Sequence, residues 1–377
     1  MRTLMLHSVG CENENWYRKW LSISLDHFEN FCKYLVNNNY ETIFLDDWIK
    51  DPTAKKKVVL TFDDGYLDNW VYAYPILKKY GLKGTIFVNP EFVQNETNIR
   101  HNLEDVWNNK VNKSDLRPLG FCNWAELKVL QDSGVMDIQS HSMSHNFYYY
   151  SDKIKDIYTG QPKYNWLPWL TQPKRKPYYI NEDQSQSDFT KYGRPIFEFD
   201  RALRVRRYMP DEKFIEYCVD EYKNTDKPVD KKALIEKINL KLKELPGKLE
   251  SDKAMQDRYT YELAESRRIL QEKLNKPVDF ICWPGGGFNQ ESITIAKKAG
   301  YKAMTASDNK IKSFNTDGIL NIGRNAMTSF IQTPKRDHYI KNPQFLVTLF
   351  KYHEGHSVSE YLYKFRKLFL ILKDKVA

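Results

Sequence analysis

Apolar residues from Met1 to about Ser151 fall alternately into short continuous runs and helical periods. The runs TLMLHSV, ETIFLDD, KVVLTFDDG, GTIFVNP and GVMDIQSH predict strands, and the segments DHFENFCKYLVNNNY and VYAYPILKKYG between them predict helices. In DHFENFCKYLV an Asp suited to capping precedes Phe28, Phe31, Leu35 and Val36 near helical spacing. Repeated strand and helix units favour a parallel sheet or a barrel, because parallel neighbours need a crossover connection. The texture changes between about 148 and 258, where YYYS and QPKYNWLPWLTQPKRKPYY read as aromatic loops and KKALIEKINLKLKELPGK as a charged helix broken by Pro246 and Gly247. Afterwards ELAESRRILQEKLN, PVDFICWP, a glycine turn, ESITIAKKAG and YKAMTAS restore the first pattern. This predicts a discontinuous α/β domain over 1–150 and 259–345, an insertion over 151–258, and a C-terminal amphipathic helical segment over 346–377. In the last segment Leu362, Phe365, Phe369, Leu372 and Val376 form an apolar stripe. Docking of that helix on the domain is the expectation, and peripheral contact with a membrane is the other reading.

A length of 377 residues leaves room for an enzyme with a substantial core. The formal net charge of +9 is spread among nearly as many acids as bases and forms no tail, so it is weak evidence for an anionic partner, and no nucleic acid is expected. The five cysteines are odd in number and lack CxxC spacing, which suits reduced, isolated thiols. The start MRTLMLHSVG has no charged region followed by a long apolar stretch, and no segment reaches the roughly 18 apolar residues of a membrane span. A cytoplasmic protein, at most touching the inner face of the membrane, is therefore expected.

Two motifs carry chemistry. In TFDDG the adjacent carboxylates Asp63 and Asp64 end an apolar run before a glycine; they either cap a turn or divide a reaction between them. In MDIQSHSMSHN, His141 and His145 lie four residues apart, and a helical turn there would converge both imidazoles on one metal ion. One carboxylate with two imidazoles is a three-ligand set that leaves a position open for water, as catalytic rather than structural zinc sites do.

These motifs together resemble a polysaccharide deacetylase of the NodB-homology type, carbohydrate esterase family 4, over about residues 3–147 and 259–308. The resemblance implies a distorted (β/α)7-type barrel and one divalent metal, Zn2+ before Co2+ or Ni2+. It implies Asp63 as catalytic base and Asp64, His141 and His145 as metal ligands, with a metal-bound water as nucleophile. The opening LMLHSVG resembles a circularly permuted branch in which the N-terminal histidine, here His7, is the general acid. The run ending in Trp283, Pro284, Gly285 and Gly286 resembles the turn that lines the substrate groove, where a backbone N–H would help hold the oxyanion. The family commonly places an Arg two residues before that Pro to orient the base. Cys282 stands there in this chain, and Arg324 of LNIGRNAM is a replacement or merely a surface ion pair. The insertion is read as a lid or substrate-binding subdomain whose Tyr164, Trp166 and Trp169 stack on sugars, or as a small satellite core.

The implied activity is removal of N-acetyl groups from an amino-sugar glycan or its cytoplasmic lipid- or nucleotide-linked precursor. The alternative is a catalytically inactive carbohydrate-binding protein on the same barrel, which should lack a ligand or the base; neither is missing. A two-metal phosphodiesterase would need a second carboxylate-rich site, and no motif supplies one.

Overall fold

The computed structural model describes residues 2–14, 18–178, 190–226, 228–307 and 318–376. Seven strands form a closed parallel ring: β1 (Arg2–Leu6), β2 (Lys57–Phe62), β3 (Gly84–Val88), β4 (Met136–Ser140), β5 (Phe280–Cys282), β6 (Ala303–Ser307) and β7 (Leu320–Ala326). Neighbours follow chain order, and the ring closes where β1 lies between β2 and β7, pairing Leu6 with Phe62 on one side and Leu4 with Asn325 on the other. Because the strands are parallel, their C-terminal ends meet at one rim.

Side chains alternate across each strand. Leu4, Leu6, Val58, Leu60 and Phe62 belong to the main apolar cluster beneath the surrounding helices. Val59, Phe87, Phe280, Cys282, Ala303 and Ile322 form a smaller cluster inside the ring, with Ile43 and Leu45 closing its lower end. Counting two residues onward along this inward parity reaches His7, Asp63, His141, Cys282 and Arg324 at the rim. The fold thus selects the site by register.

Several local expectations change. Helix α1 (Leu25–Asn37) is capped by Ser24, whose Oγ accepts from His27 N at 3.3 Å, while Asp26 sits in the first turn, where a negative charge suits the helix dipole. ETIFLDD is a strand only at Glu41–Thr42 and then turns into a short helix, α2 (Leu45–Lys50). The reason is lateral space: that edge of β2 is taken by β3 from Thr61 onward, leaving room for two pairs. YYYS is not a loop but part of a long antiparallel hairpin, Phe147–Ile157 with Pro195–Arg201.

The hairpin packs with helices α3 (Glu212–Asn224) and α4 (Lys231–Glu244) around Tyr149, Phe197, Phe214 and Ile238, a second apolar cluster that also takes in Tyr66, Phe92 and Phe121 from the segments after β2 and β3. Helix α5 (Phe345–His353) packs on α1 through Phe350 and Phe31, ring centroids 5.4 Å apart. Helix α6 (Ser357–Val376) follows it. It docks through Tyr363, stacked on Tyr352 at 4.9 Å, and through buried Asp374, which accepts from Arg336 Nε at 2.8 Å and contacts His338 Nε2. The apolar stripe is therefore not the docking face: Leu362, Phe365, Phe369 and Leu372 all point outward, and the side chain of Val376 lies outside the described residues.

Phe197 is fully buried in that second cluster. Phe197→Ala should cost about 3–5 kcal/mol locally. Limited proteolysis should then cut within 147–258 first while the barrel resists; simultaneous loss of both would mean the two clusters unfold as one unit.

Candidate functional site

Asp63, one residue beyond β2, is 3% exposed and donates its backbone N–H to Leu6 O at 3.0 Å. Arg324 approaches from β7 and donates from Nη1 to Asp63 Oδ1 at 2.6 Å and from Nη2 to Oδ2 at 2.8 Å, a bidentate pair. Burial alone would raise the Asp63 pKa, but the guanidinium outweighs it and holds the carboxyl below its usual range. Arg324 also donates to Thr61 Oγ1 at 2.9 Å and to Cys282 Sγ at 2.9 Å. At 3% exposure it is no surface ion pair; it fills the space beside Cys282 and orients the carboxylate.

Asp64 escapes the strand alternation because its backbone is left-handed, φ +75°, and Gly65 follows at φ +70°. Left-handed backbone is costly for a side-chain-bearing residue, less so for Asp, and here it swings the second carboxylate onto the first one's side. Oδ1 of Asp64 lies 3.2 Å from His141 Nε2 and 3.4 Å from His145 Nε2. The two histidines converge without a helical turn: the loop after β4 uses left-handed Ser142 (φ +63°) and His145 (φ +51°) instead.

That loop is clamped from below. Glu262 accepts from Met143 N at 3.2 Å, from Ser144 N at 3.0 Å and from Ser144 Oγ, and Asn89 Nδ2 donates to the carbonyls of His141 and Ser142. Lys176, buried from the insertion side, donates to Ser144 O at 3.0 Å and pairs with Glu91. The His141 ring lies 2.9 Å through Nδ1 from Cys282 O, which can only accept, so Nδ1 carries a proton and Nε2 is the ring atom turned to Asp64. Burial pushes the His145 imidazole down to about 3, keeping it neutral. Both Asp64 oxygens are buried, and among the described residues neither has a hydrogen-bond donor. A buried carboxylate facing the Nε2 atoms of two imidazoles, all three ligand atoms within 4.8 Å of one another, is a donor set that suits a divalent cation.

His7 follows β1, with Nε2 3.8 Å from Asp63 Oδ2, beyond hydrogen-bond distance. Burial lowers its pKa, and the Asp63 charge partly offsets this. Its backbone is anchored by a residue that sequence reading overlooked. Asp68 accepts from Ser8 Oγ at 2.6 Å and Val9 N at 2.9 Å, and neighbouring Asn69 donates to His7 O at 2.9 Å. The Trp283–Gly286 turn lines the site, yet its amides are engaged internally: Trp283 N donates to Thr305 O, Gly286 N to Trp283 O and Gly287 N to Pro284 O. Those three bonds fix the shape of the turn beside the ligand cluster. Arg201, from the insertion hairpin, occupies the space that side chains at Gly285 and Gly287 would fill.

His7, Asp63, His141, His145, Trp283, Gly285, Gly286 and Arg324 all line one cavity of about 710 Å³. Tyr164, Trp166 and Trp169 are each less than 5% exposed and belong mainly to the insertion's core, although both tryptophans also reach the cavity wall. Arg18, Lys163, Arg201 and Lys367 line it too, with Asp63 the one acid among the described lining residues. DNW after TFDDG was a local hint of Asp68 and Asn69, whereas Glu262, Lys176 and Arg201 had no local signal.

The family model described as polysaccharide deacetylase matches residues 50–175 and 247–304. YxkH of Bacillus subtilis (strain 168), assigned by name as a polysaccharide deacetylase, is 41% identical over 90 residues, which span 22% of this chain and 30% of that relative's length. A de-N-acetylase from Aggregatibacter actinomycetemcomitans superposes with a TM-score of 0.51 at 19% identity, covering 86% of this chain and 93% of that one. The BpsB deacetylase domain of Bordetella bronchiseptica gives 0.50 at 15%, covering 86% and 95%. At these identities the two structures establish the shared barrel fold.

The pairing of Asp63 with Arg324 has a thermodynamic consequence. Arg324→Met should destabilise the protein by about 3–5 kcal/mol, because it leaves a buried carboxylate without its cation. Adding Asp63→Asn should recover much of the lost Tm in a thermal melt. A double variant no more stable than Arg324→Met would show that the arginine acts through packing instead.

Proposed function

We propose that this chain, which carries a polysaccharide deacetylase domain, is a metal-dependent hydrolase that removes acetyl from an N-acetylated amino sugar. One observation carries the reading: a three-ligand cluster, an arginine-held carboxylate and a histidine converge on a single cavity. Asp64, His141 and His145 would hold one divalent ion, Zn2+ first and Co2+ or Ni2+ as other occupants of the same nitrogen and oxygen donors. When bound, the ion supplies Lewis-acid polarisation and lowers the pKa of water.

The remaining work falls to the chain's own residues. Asp63, ionised at neutral pH and fixed by two hydrogen bonds, accepts the proton of the attacking water on a free lone pair. Expelling an amine requires a proton on its nitrogen, and His7, beside Asp63 and partly open to the cavity, donates it from Nε2. Acetate and the free amino sugar are the products. The strand order supports the permuted reading, since β1 lies beside β2 and brings His7 to the same rim as Asp63.

The surplus of Arg and Lys along the cavity favours a substrate with negative charge beside its sugar. A lipid- or nucleotide-linked precursor, met in the cytoplasm, has that character. The reading as an inactive binding protein loses its motive, because Arg324 takes the orienting role that Cys282 cannot fill.

Acetate release from N-acetylglucosamine oligosaccharides, measured with metal content, tests the assignment. Asp63→Asn should keep its metal and lose about a hundred- to ten-thousandfold in kcat; retained metal with unchanged release would refute the base. His7→Ala should lose about a hundredfold or more. Activity needing protonated His7 falls as pH rises through its pKa, so this variant should also lose that alkaline limb. A pH profile that keeps the limb would point to another acid.

A further inference from the structure

Helix α6 carries two apolar faces. Tyr363 turns toward the domain, while Val358, Tyr361, Leu362, Phe365, Leu368, Phe369 and Leu372 are each 51–68% exposed. Their spacing of three and four residues makes them one continuous outward stripe. At about 1.5 Å per residue the helix is roughly 30 Å long, and the stripe runs along most of it. Solvated helices of folded proteins scatter single apolar side chains on their outer faces; seven in register mark a contact surface.

The charges on the same helix say what it contacts. Lys364, Arg366, Lys367, Lys373 and Lys375 stand against Glu360 and Asp374. Glu360 pairs with Lys364, and Asp374 is buried against Arg336 and His338, so the displayed surplus is positive. Between α5 and α6 an apolar groove of about 360 Å³, lined by Phe345, Leu362, Phe365 and Phe369, has Arg366 on its wall. An apolar stripe flanked by cations suits the interface of an anionic bilayer, where rings and aliphatic chains sink among acyl chains and cations meet headgroups. No described helix is long and apolar enough to cross a membrane, so this helix would lie in the surface plane.

The same helix borders the catalytic cavity: Tyr363 and Lys367 of α6, with Tyr352 and His353 at the end of α5, line its far side. We propose that α6 seats the protein on an anionic membrane surface and turns the cavity mouth toward a saccharide tethered to that bilayer through an anionic lipid head. The substrate part rests on the deacetylase reading; the docking part does not. Tyr363 and Lys367 face the bound saccharide from the membrane side, and Arg18, Lys163 and Arg201 complete the cationic wall.

Flotation of the full chain with vesicles tests the docking. Binding is expected to vesicles of phosphatidylcholine and phosphatidylglycerol in equal parts, weaker binding to phosphatidylcholine alone, and a decline with added salt. Phe365→Glu with Phe369→Glu should weaken partition by about tenfold or more. Lys373→Glu with Lys375→Glu should weaken binding to anionic vesicles selectively. Neither pair lines the cavity, so thermal stability and acetate release from a soluble N-acetylated oligosaccharide should stay at the wild-type level. No partition into anionic vesicles, or equal partition by the phenylalanine variant, overturns the docking. So does a wild-type dimer that the phenylalanine variant converts to monomer in analytical ultracentrifugation, which would assign the stripe to a second copy. Vesicle binding without any acetate release would leave the docking standing and remove the deacetylase reading; release without vesicle binding would do the reverse.

Discussion

Burying a carboxylate as deeply as Asp63 is tolerable only because a guanidinium meets both of its oxygens, and much of the site follows from that pairing. Arg324 can reach Asp63 because position 282 is a cysteine, small enough to leave the guanidinium room and polarisable enough to accept one of its hydrogen bonds. It also depends on β7 closing the ring next to β1, since the arginine stands on the inward parity of the last strand. Barrel closure, the small side chain and the orientation of the carboxylate are thus a single constraint expressed at three positions.

The ligand cluster rests on a different device. Asp64, Ser142 and His145 hold left-handed backbone that no regular element would provide. Conformations of this kind persist where the surroundings over-determine them. Glu262 beneath the loop, Asn89 beside it and Lys176 from the insertion supply that restraint. The insertion is consequently part of the machinery: it contributes a buried cation under the histidine loop, an arginine against the glycine turn and two tryptophans on the cavity wall.

What could be read from the chain is what is local. TFDDG and the paired histidines stand in short motifs whose spacing implies chemistry, His7 was legible only through resemblance to a family opening, and apolar runs marked the strands that lie between helices. Glu262 and Lys176 were invisible because their partners are remote in sequence and ordinary in composition. Strand β7 was missed because LNIGRNA lacks an apolar run, its alternate positions being polar within a barrel whose rim is polar. In α6, periodicity revealed a stripe but not its direction. A helix with apolar residues on two faces can dock by either, and Tyr363 on Tyr352 together with the buried Asp374 decided it. The mid-chain aromatics were ambiguous for a related reason, since a ring that fills a core and a ring that walls a cavity have the same sequence signature.

Strand β1 is held on both edges, by β2 and by β7. During synthesis its first edge finds a partner early, when Lys57–Phe62 emerges, but the second stays open until Leu320–Ala326 has been made. For all that time the nascent chain carries an exposed row of backbone donors and acceptors, the kind of edge that recruits neighbouring chains. Arg324 arrives on the very strand that ends this exposure, so a ribosome-bound intermediate has the Asp63 carboxylate and no guanidinium to meet it. Shielding of the unfinished barrel in the cell must therefore last until Leu320–Ala326 has been made.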